Sequence, residues 1–158
     1  MNRDFFDSQD EYFMDKAIEM AQKAFKIGDV PVGAVVVYEG KIIGKGFNKK
    51  EFSGDASAHA EMLAMRQACR TFGDWRLLGC KLYSTAEPCL MCAGAILHFR
   101  IEEVVFGVRE SKFGGVCSRT NLFDINGLNH YVKYREGIKS EEIAALMQNF
   151  FRCIRLKT

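Results

Sequence analysis

Two short runs about 30 residues apart constrain this chain more than anything else in it: His59-Ala60-Glu61 and Pro88-Cys89-Leu90-Met91-Cys92. Together they hold one imidazole, two thiols and one spare carboxylate, the donor set of an open zinc site in which three protein ligands leave the fourth position to water. Cys89 and Cys92 are three apart, so on a helix they share a face and can bite one ion. Pro88 suits the first turn of that helix, where a missing N–H costs little. The thiols then sit at the positive end of the dipole, which favours thiolates. His59 and Glu61, two apart, diverge on a regular helix and converge only if they curl over a helix start. The expectation is therefore two helix N-termini aimed at one Zn2+. His59, Cys89 and Cys92 are its ligands, and Glu61 is left as an acid/base beside it.

A lone Cys-x-x-Cys is equally a redox pair or half of a structural zinc site. A closed structural site needs a fourth Cys or His at suitable spacing, and Cys69, Cys80 and Cys117 form no second Cys-x-x-Cys. Six cysteines are also an even number, which invites a disulfide framework. Yet the start, from Met1 to Asp7, has no apolar signal run, and no later stretch is long enough to span a membrane. A cytoplasmic setting without disulfides is expected, with metal binding as the use for two thiols. At 158 residues, 48% hydrophobic and 27% charged, the chain reads as one globular domain over 1–158. A formal charge of +2 permits a nucleic-acid partner without arguing for one.

Along the chain, Ser8-Gln9-Asp10-Glu11 has a capping-box pattern. The apolar residues Phe13, Met14, Ala17, Ile18, Ala21 and Phe25 behind it predict an amphipathic helix ending near Gly28. Ala34 to Tyr38 is a buried strand, Glu39-Gly40 a turn, and Lys41 to Asn48 a returning strand in which Gly44 and Gly46 mark a bulge or close approach. A polar loop from Lys49 to Ser57 leads to the His59 helix, which stops near Gly73. A strand over Lys81–Thr85 runs into the cysteine helix, which ends near His98, and Glu103–Val108 is a further strand. This alternation predicts an α/β sheet with helical crossovers. Arg109 to Asn126 resists assignment apart from an anchor at Leu122-Phe123, and Tyr131 to Arg135 is a candidate edge strand. The last helix opens at Ser140, with Ile143, Leu146, Met147, Phe150 and Ile154 as its expected buried stripe. Phe151, Arg152 and Arg155 lie off that stripe, a surface suited to stacking bases and holding phosphate.

The two metal motifs resemble the signature of zinc-dependent base deaminases. Further segments are similar to bacterial tRNA-specific adenosine deaminases within the cytidine deaminase-like superfamily: Val30-Pro31-Val32-Gly33-Ala34-Val35, Gly46-Phe47-Asn48, Cys92-Ala93-Gly94-Ala95-Ile96, Val105-Phe106-Gly107, Asn129-His130 and Phe150-Phe151-Arg152. The resemblance implies a three-layer α/β/α fold with a mixed five-stranded sheet between helices, and a homodimer. It implies a tRNA anticodon loop as partner, whose wobble adenosine becomes inosine with release of ammonia. By matching positions, Asn48 would contact the purine, with Val30 and Ala60 at its pocket. Asn129, Phe150, Phe151 and Arg152 would hold flanking nucleotides. Two positions depart from the family pattern: Asp55-Ala56-Ser57 stands where Asp-Pro-Thr is frequent, and Glu110 stands where an aspartate lies near the ribose. Competing readings are a deaminase of free cytosine, cytidine, deoxycytidylate or guanine, and a non-catalytic zinc-fold RNA-binding module.

Overall fold

A computed structural model describes residues 5–157. The first helix, α1 (Ser8–Lys26), carries the apolar stripe that the spacing predicts, with Phe13, Met14, Ala17, Ile18 and Ala21 buried. Its capping box lies one residue earlier than expected: the Asp7 carboxylate accepts the Asp10 amide at 2.8 Å, and Asp10 accepts the Asp7 amide at 3.1 Å. Two aspartates three apart thus do the reciprocal work that Ser8 and Glu11 were expected to do.

Strands β1 (Gly33–Tyr38) and β2 (Lys41–Phe47) form the expected hairpin, closed by Glu39 and Gly40, both at positive φ. That pair of left-handed residues gives the turn a twist matching its strands. A short helix, α2 (Lys50–Ser53), interrupts the segment expected to be loop throughout. Then follow α3 (Ala60–Phe72), β3 (Lys81–Ala86), α4 (Leu90–His98), β4 (Glu103–Val108), a 3-10 turn at Leu122–Asp124, β5 (Lys133–Glu136) and α5 (Ser140–Leu156). The edge strand β5 thus starts two residues later than its sequence pattern suggests, and Phe123 is the buried anchor of the long preceding segment.

The five strands make one mixed sheet in the order β2-β1-β3-β4-β5. β1 runs antiparallel to both neighbours, while β3, β4 and β5 are parallel. Period-two alternation divides the core. Ala34, Val36, Leu82, Val104 and Phe106 pack with α3 and α4 on one face; Val35, Val37, Tyr83 and Val105 pack with α1 and Ile143 of α5 on the other. The sheet is the middle of three layers.

Helix α3 lies so close to β2 that side chains between them are excluded. A Cβ on Gly44 would overlap the Ala64 carbonyl, and one on Gly46 the Ala60 carbonyl, with Ala64 N at 2.7 Å. The anticipated bulge is present too, as the register shift between Val36 and Val37. Helix α5 departs from expectation: only Ile143 and Phe150 are buried, and Ile154 is 43% exposed. Past Phe150, which packs on Phe25 of α1, residues 151–156 are all exposed, so the apolar stripe outruns its cover. Among the described residues no helix is long and apolar enough to cross a membrane, and all six cysteines are free.

Candidate metal centre and active site

Because β2 and β3 both lie antiparallel to β1, their C-terminal ends open on the same side of the sheet, together with that of β4. Ligand sites of open α/β sheets gather at such ends. His59 is the N-cap residue of α3 and Cys89 the N-cap residue of α4, both with extended backbone. Pro88 therefore stands just outside α4, not in its first turn, and Cys92 occupies the third helical position. The Cys89 sulfur caps the Cys92 amide at 3.5 Å. Two helix starts converge as the spacing predicts.

The ligand atoms of His59, Cys89 and Cys92 all lie within 4.8 Å of one another. His59 Nδ1 stands 3.5 Å from Cys89 Sγ and 3.6 Å from Cys92 Sγ. Ordinary Zn–N and Zn–S bond lengths at tetrahedral angles separate a nitrogen from a sulfur by about 3.6 Å, so the donor set fits a zinc ion with one direction left open. The hydrogen bond from Cys92 holds the Cys89 thiol down to about 4, with His59 adding to the effect, while Cys92 is pushed up by retaining that proton. The same Cys89 sulfur raises His59. A thiolate is thus favoured at the mouth of α4, where a soft cation would take the place of the shared protons.

Glu61 is only 3% exposed. Burial pushes its carboxyl up to about 7, against the opposing pull of His59. It lines a cavity of about 560 Å³ shared with Val30, Asn48, His59, Ala60, Cys89 and Glu110. Cys92 is fully buried behind the cavity wall. The Asn48 amide nitrogen donates to the Val30 carbonyl at 3.1 Å, and its oxygen accepts the Lys50 amide at 3.0 Å. The Glu110 carboxylate accepts the backbone amides of Lys112 and Phe113 and so folds its own loop.

The remaining expected contact residues lie elsewhere. Asn129 is exposed beside a separate cavity of about 230 Å³ with His98, Arg100 and His130, and His130 Nε2 lies 2.7 Å from the Ile101 carbonyl. Phe150 is buried edge-on against Phe25 at 5.7 Å between ring centres, a packing position, whereas Phe151 is 43% exposed and Arg152 is exposed.

Two carboxylates that the sequence reading passed over organise the cavity walls. Asp29, 1% exposed, accepts the Glu51 and Phe52 amides at 3.3 and 2.9 Å and the Asn48 amide at 3.4 Å. It thereby caps α2, which is why a helix forms in a stretch read as loop. Glu87, 2% exposed, gathers the 110–118 loop. Burial would raise its carboxyl, but the amides of Cys117 and Ser118 and the Ser118 hydroxyl hold it below its ordinary value. A signal was present for both, since each is an acidic residue flanking a buried strand. No spacing rule links either to its partners.

Comparison with known proteins agrees with this geometry. Residues 7–108 match the family model for the cytidine and deoxycytidylate deaminase zinc-binding region. The tRNA-specific adenosine deaminase of Aquifex aeolicus is 47% identical over 92% of this chain and 95% of its own length, and that of Bacillus subtilis 45% over 95% and 93%. A solved structure from work on A-to-I editing by tRNA:A34 deaminases superposes with a TM-score of 0.82 at 36% identity, over 85% of this chain and 98% of that one. A guanine deaminase from Bacillus subtilis is 40% identical with a TM-score of 0.60, but over only 63% of this chain and 64% of its own. The whole-length matches, set on a three-donor metal centre with a buried glutamate beside it, place the chain in the cytidine and deoxycytidylate deaminase zinc-binding family, among its tRNA-specific adenosine deaminases.

Proposed function

We propose that the chain deaminates the wobble adenosine of a tRNA anticodon loop to inosine. The observation that carries this reading is the placement of His59, Cys89 and Cys92 around one point beside the buried Glu61, on a chain similar over nearly its whole length to tRNA adenosine deaminases. His59 Nδ1 and the sulfurs of Cys89 and Cys92 would hold one zinc per chain, which when bound polarises a water and lowers its pKa towards neutrality.

Glu61 handles the protons. Its carboxylate takes one from the attacking water and delivers it to the ring nitrogen beside the reacting carbon as the water oxygen adds there. It then carries the second water proton to the exocyclic amine. The carbon–nitrogen bond breaks, ammonia leaves, and the carbonyl of inosine remains. One carboxylate serving as base and then acid works best with a pKa near the working pH, and burial moves the Glu61 carboxyl in that direction. Val30, Asn48 and Ala60 line the cavity in which the base would sit. The reacting carbon is out of reach inside a stack, so a loop nucleotide must be turned out to enter. Phe151 and Arg152, exposed on α5, suit the flanking nucleotides, as does Asn129. A homodimer, supported by the resemblance, and a cytoplasmic setting, which suits six unpaired thiols, belong to the same reading.

Incubating the zinc-loaded protein with an anticodon stem-loop bearing adenosine at the wobble position should yield inosine, read by mass analysis of the digested RNA. Ammonia release from free guanine or cytidine with no inosine in the stem-loop would overturn the reading in favour of a free-base or nucleoside deaminase. Tight RNA binding without product would point to a non-catalytic module.

A further inference from the structure

The segment between β4 and the 3-10 turn supplies Glu110 and Phe113 to the wall of the cavity, yet of residues 110–118 only Gly114, Gly115 and Val116 are buried. Little apolar surface holds it down. A polar latch takes its place. Glu87 Oε2 accepts three consecutive amides, Val116 at 3.1 Å, Cys117 at 2.8 Å and Ser118 at 2.9 Å. Its Oε1 accepts the Glu110 amide at 3.0 Å and the Ser118 hydroxyl. Five donors on one buried carboxylate leave it nothing to offer a substrate. The loop is also stitched to the chain on either side of the α4 N-cap: the Gly115 amide donates to the Pro88 carbonyl and the Leu90 amide to the Phe113 carbonyl, both at 2.9 Å. Glycines allow this approach, because a Cβ on Gly114 would fall on Glu87 Oε2 and one on Gly115 would stand 2.9 Å from the Cys89 carbonyl.

We propose that Glu87 is a positioning residue for the substrate: through its grip on both ends of the 110–118 loop it sets where Glu110 and Phe113 stand at the cavity mouth. The inference rests on the proposed deamination of RNA. Replacing the carboxylate by an amide puts N–H donors against N–H donors. The loop then loosens, while α3 and α4, which carry the metal ligands and pack through the apolar core, stay in place.

The test compares the full-length zinc-loaded wild type with Glu87→Gln. Amide hydrogen exchange at Val116, Cys117 and Ser118 should accelerate by about tenfold or more with α3 and α4 unchanged. Bound zinc should be equal in the two proteins. KM for the anticodon stem-loop should rise by about tenfold with kcat at saturation near the wild-type value, the signature of lost substrate positioning. Unchanged exchange in the loop, a fall in kcat with KM unmoved, or loss of zinc would each overturn the assignment. If Glu87→Gln does not fold, Gly114→Ala, which displaces the loop while leaving the carboxylate, must give the same three results. A wild type that makes no inosine overturns the functional reading instead, and the exchange measurement then decides the latch by itself.

Discussion

Glu61 and Cys92 sit side by side at the metal centre, both buried, yet they answer to different demands. Glu61 lies outside the candidate donor set, so the proton transfer proposed for it can be removed without unmaking the site. Glu61→Gln keeps the volume and loses the titratable group: the expected result is one equivalent of zinc, wild-type melting, and a deamination rate lower by on the order of 10³-fold. Equal turnover would remove Glu61 from the chemistry. Cys92 is one of the three candidate donors and is wholly buried at the third position of α4. Cys92→Ala should abolish both zinc retention, measured by metal analysis after desalting, and turnover, since two ligands seldom hold a zinc that needs three. The two substitutions together separate holding the ion from moving protons.

At the scale of elements, the candidate metal centre depends on how closely α3 can approach β2, because His59 is the N-cap residue of that helix. Gly46 faces the Ala60 carbonyl, one residue from the ligand. Gly46→Ala must push the helix start outward, so stability should fall by about 1–3 kcal/mol in urea unfolding. Zinc affinity should fall as well, read by competition with a chromophoric chelator; unaltered affinity would show that the helix start yields without moving His59. This is also where the sequence was most readable. The order of strands and helices, the glycines of β2 and the two ligand motifs follow from local pattern or spacing, and the convergence of two helix starts followed from the need to share one ion, although α4 begins only after Cys89 and leaves Pro88 outside it. The parts that escaped are long-range polar bonds: Asp29 to the α2 amides 22 and 23 residues away, and Glu87 to amides 23 to 31 residues away. A carboxylate finds such partners only after the chain has folded, so nothing in its neighbours along the sequence names them. Helix α5 was misjudged for a related reason. Its periodicity gives the apolar face, but how much of that face finds a neighbour is a property of the assembled layers.

The molecule is tied across its other face by a half-buried charge cluster remote from the metal centre. Arg135 of β5 forks onto Asp10 of α1 at 2.8 and 3.1 Å and onto Glu103 of β4 at 3.0 and 3.2 Å, while the Tyr83 hydroxyl of β3 donates to Asp10 at 2.7 Å. One carboxylate thereby joins the first helix to β3 and to the edge strand. Burial alone would raise the Asp10 carboxyl, but the Arg135 fork and the Tyr83 hydroxyl prevail and bring it from 3.8 to about 2. A folded pKa below the unfolded one contributes stability that is complete above about pH 4 and disappears as pH falls towards 2. A shift of this size corresponds to about 2 kcal/mol, reduced to roughly 1–2 because the Arg135 side of the cluster is open to solvent. Asp10→Asn should therefore be less stable than wild type by that amount at pH 7, and the gap should close between pH 4 and pH 2. Urea unfolding of both proteins at several pH values measures it. Protonation of the zinc ligands in acid affects both proteins alike and cancels in the difference. A gap that persists unchanged at pH 2 would mean that Asp10 stabilises the fold by shape and neutral hydrogen bonding, with its charge contributing nothing.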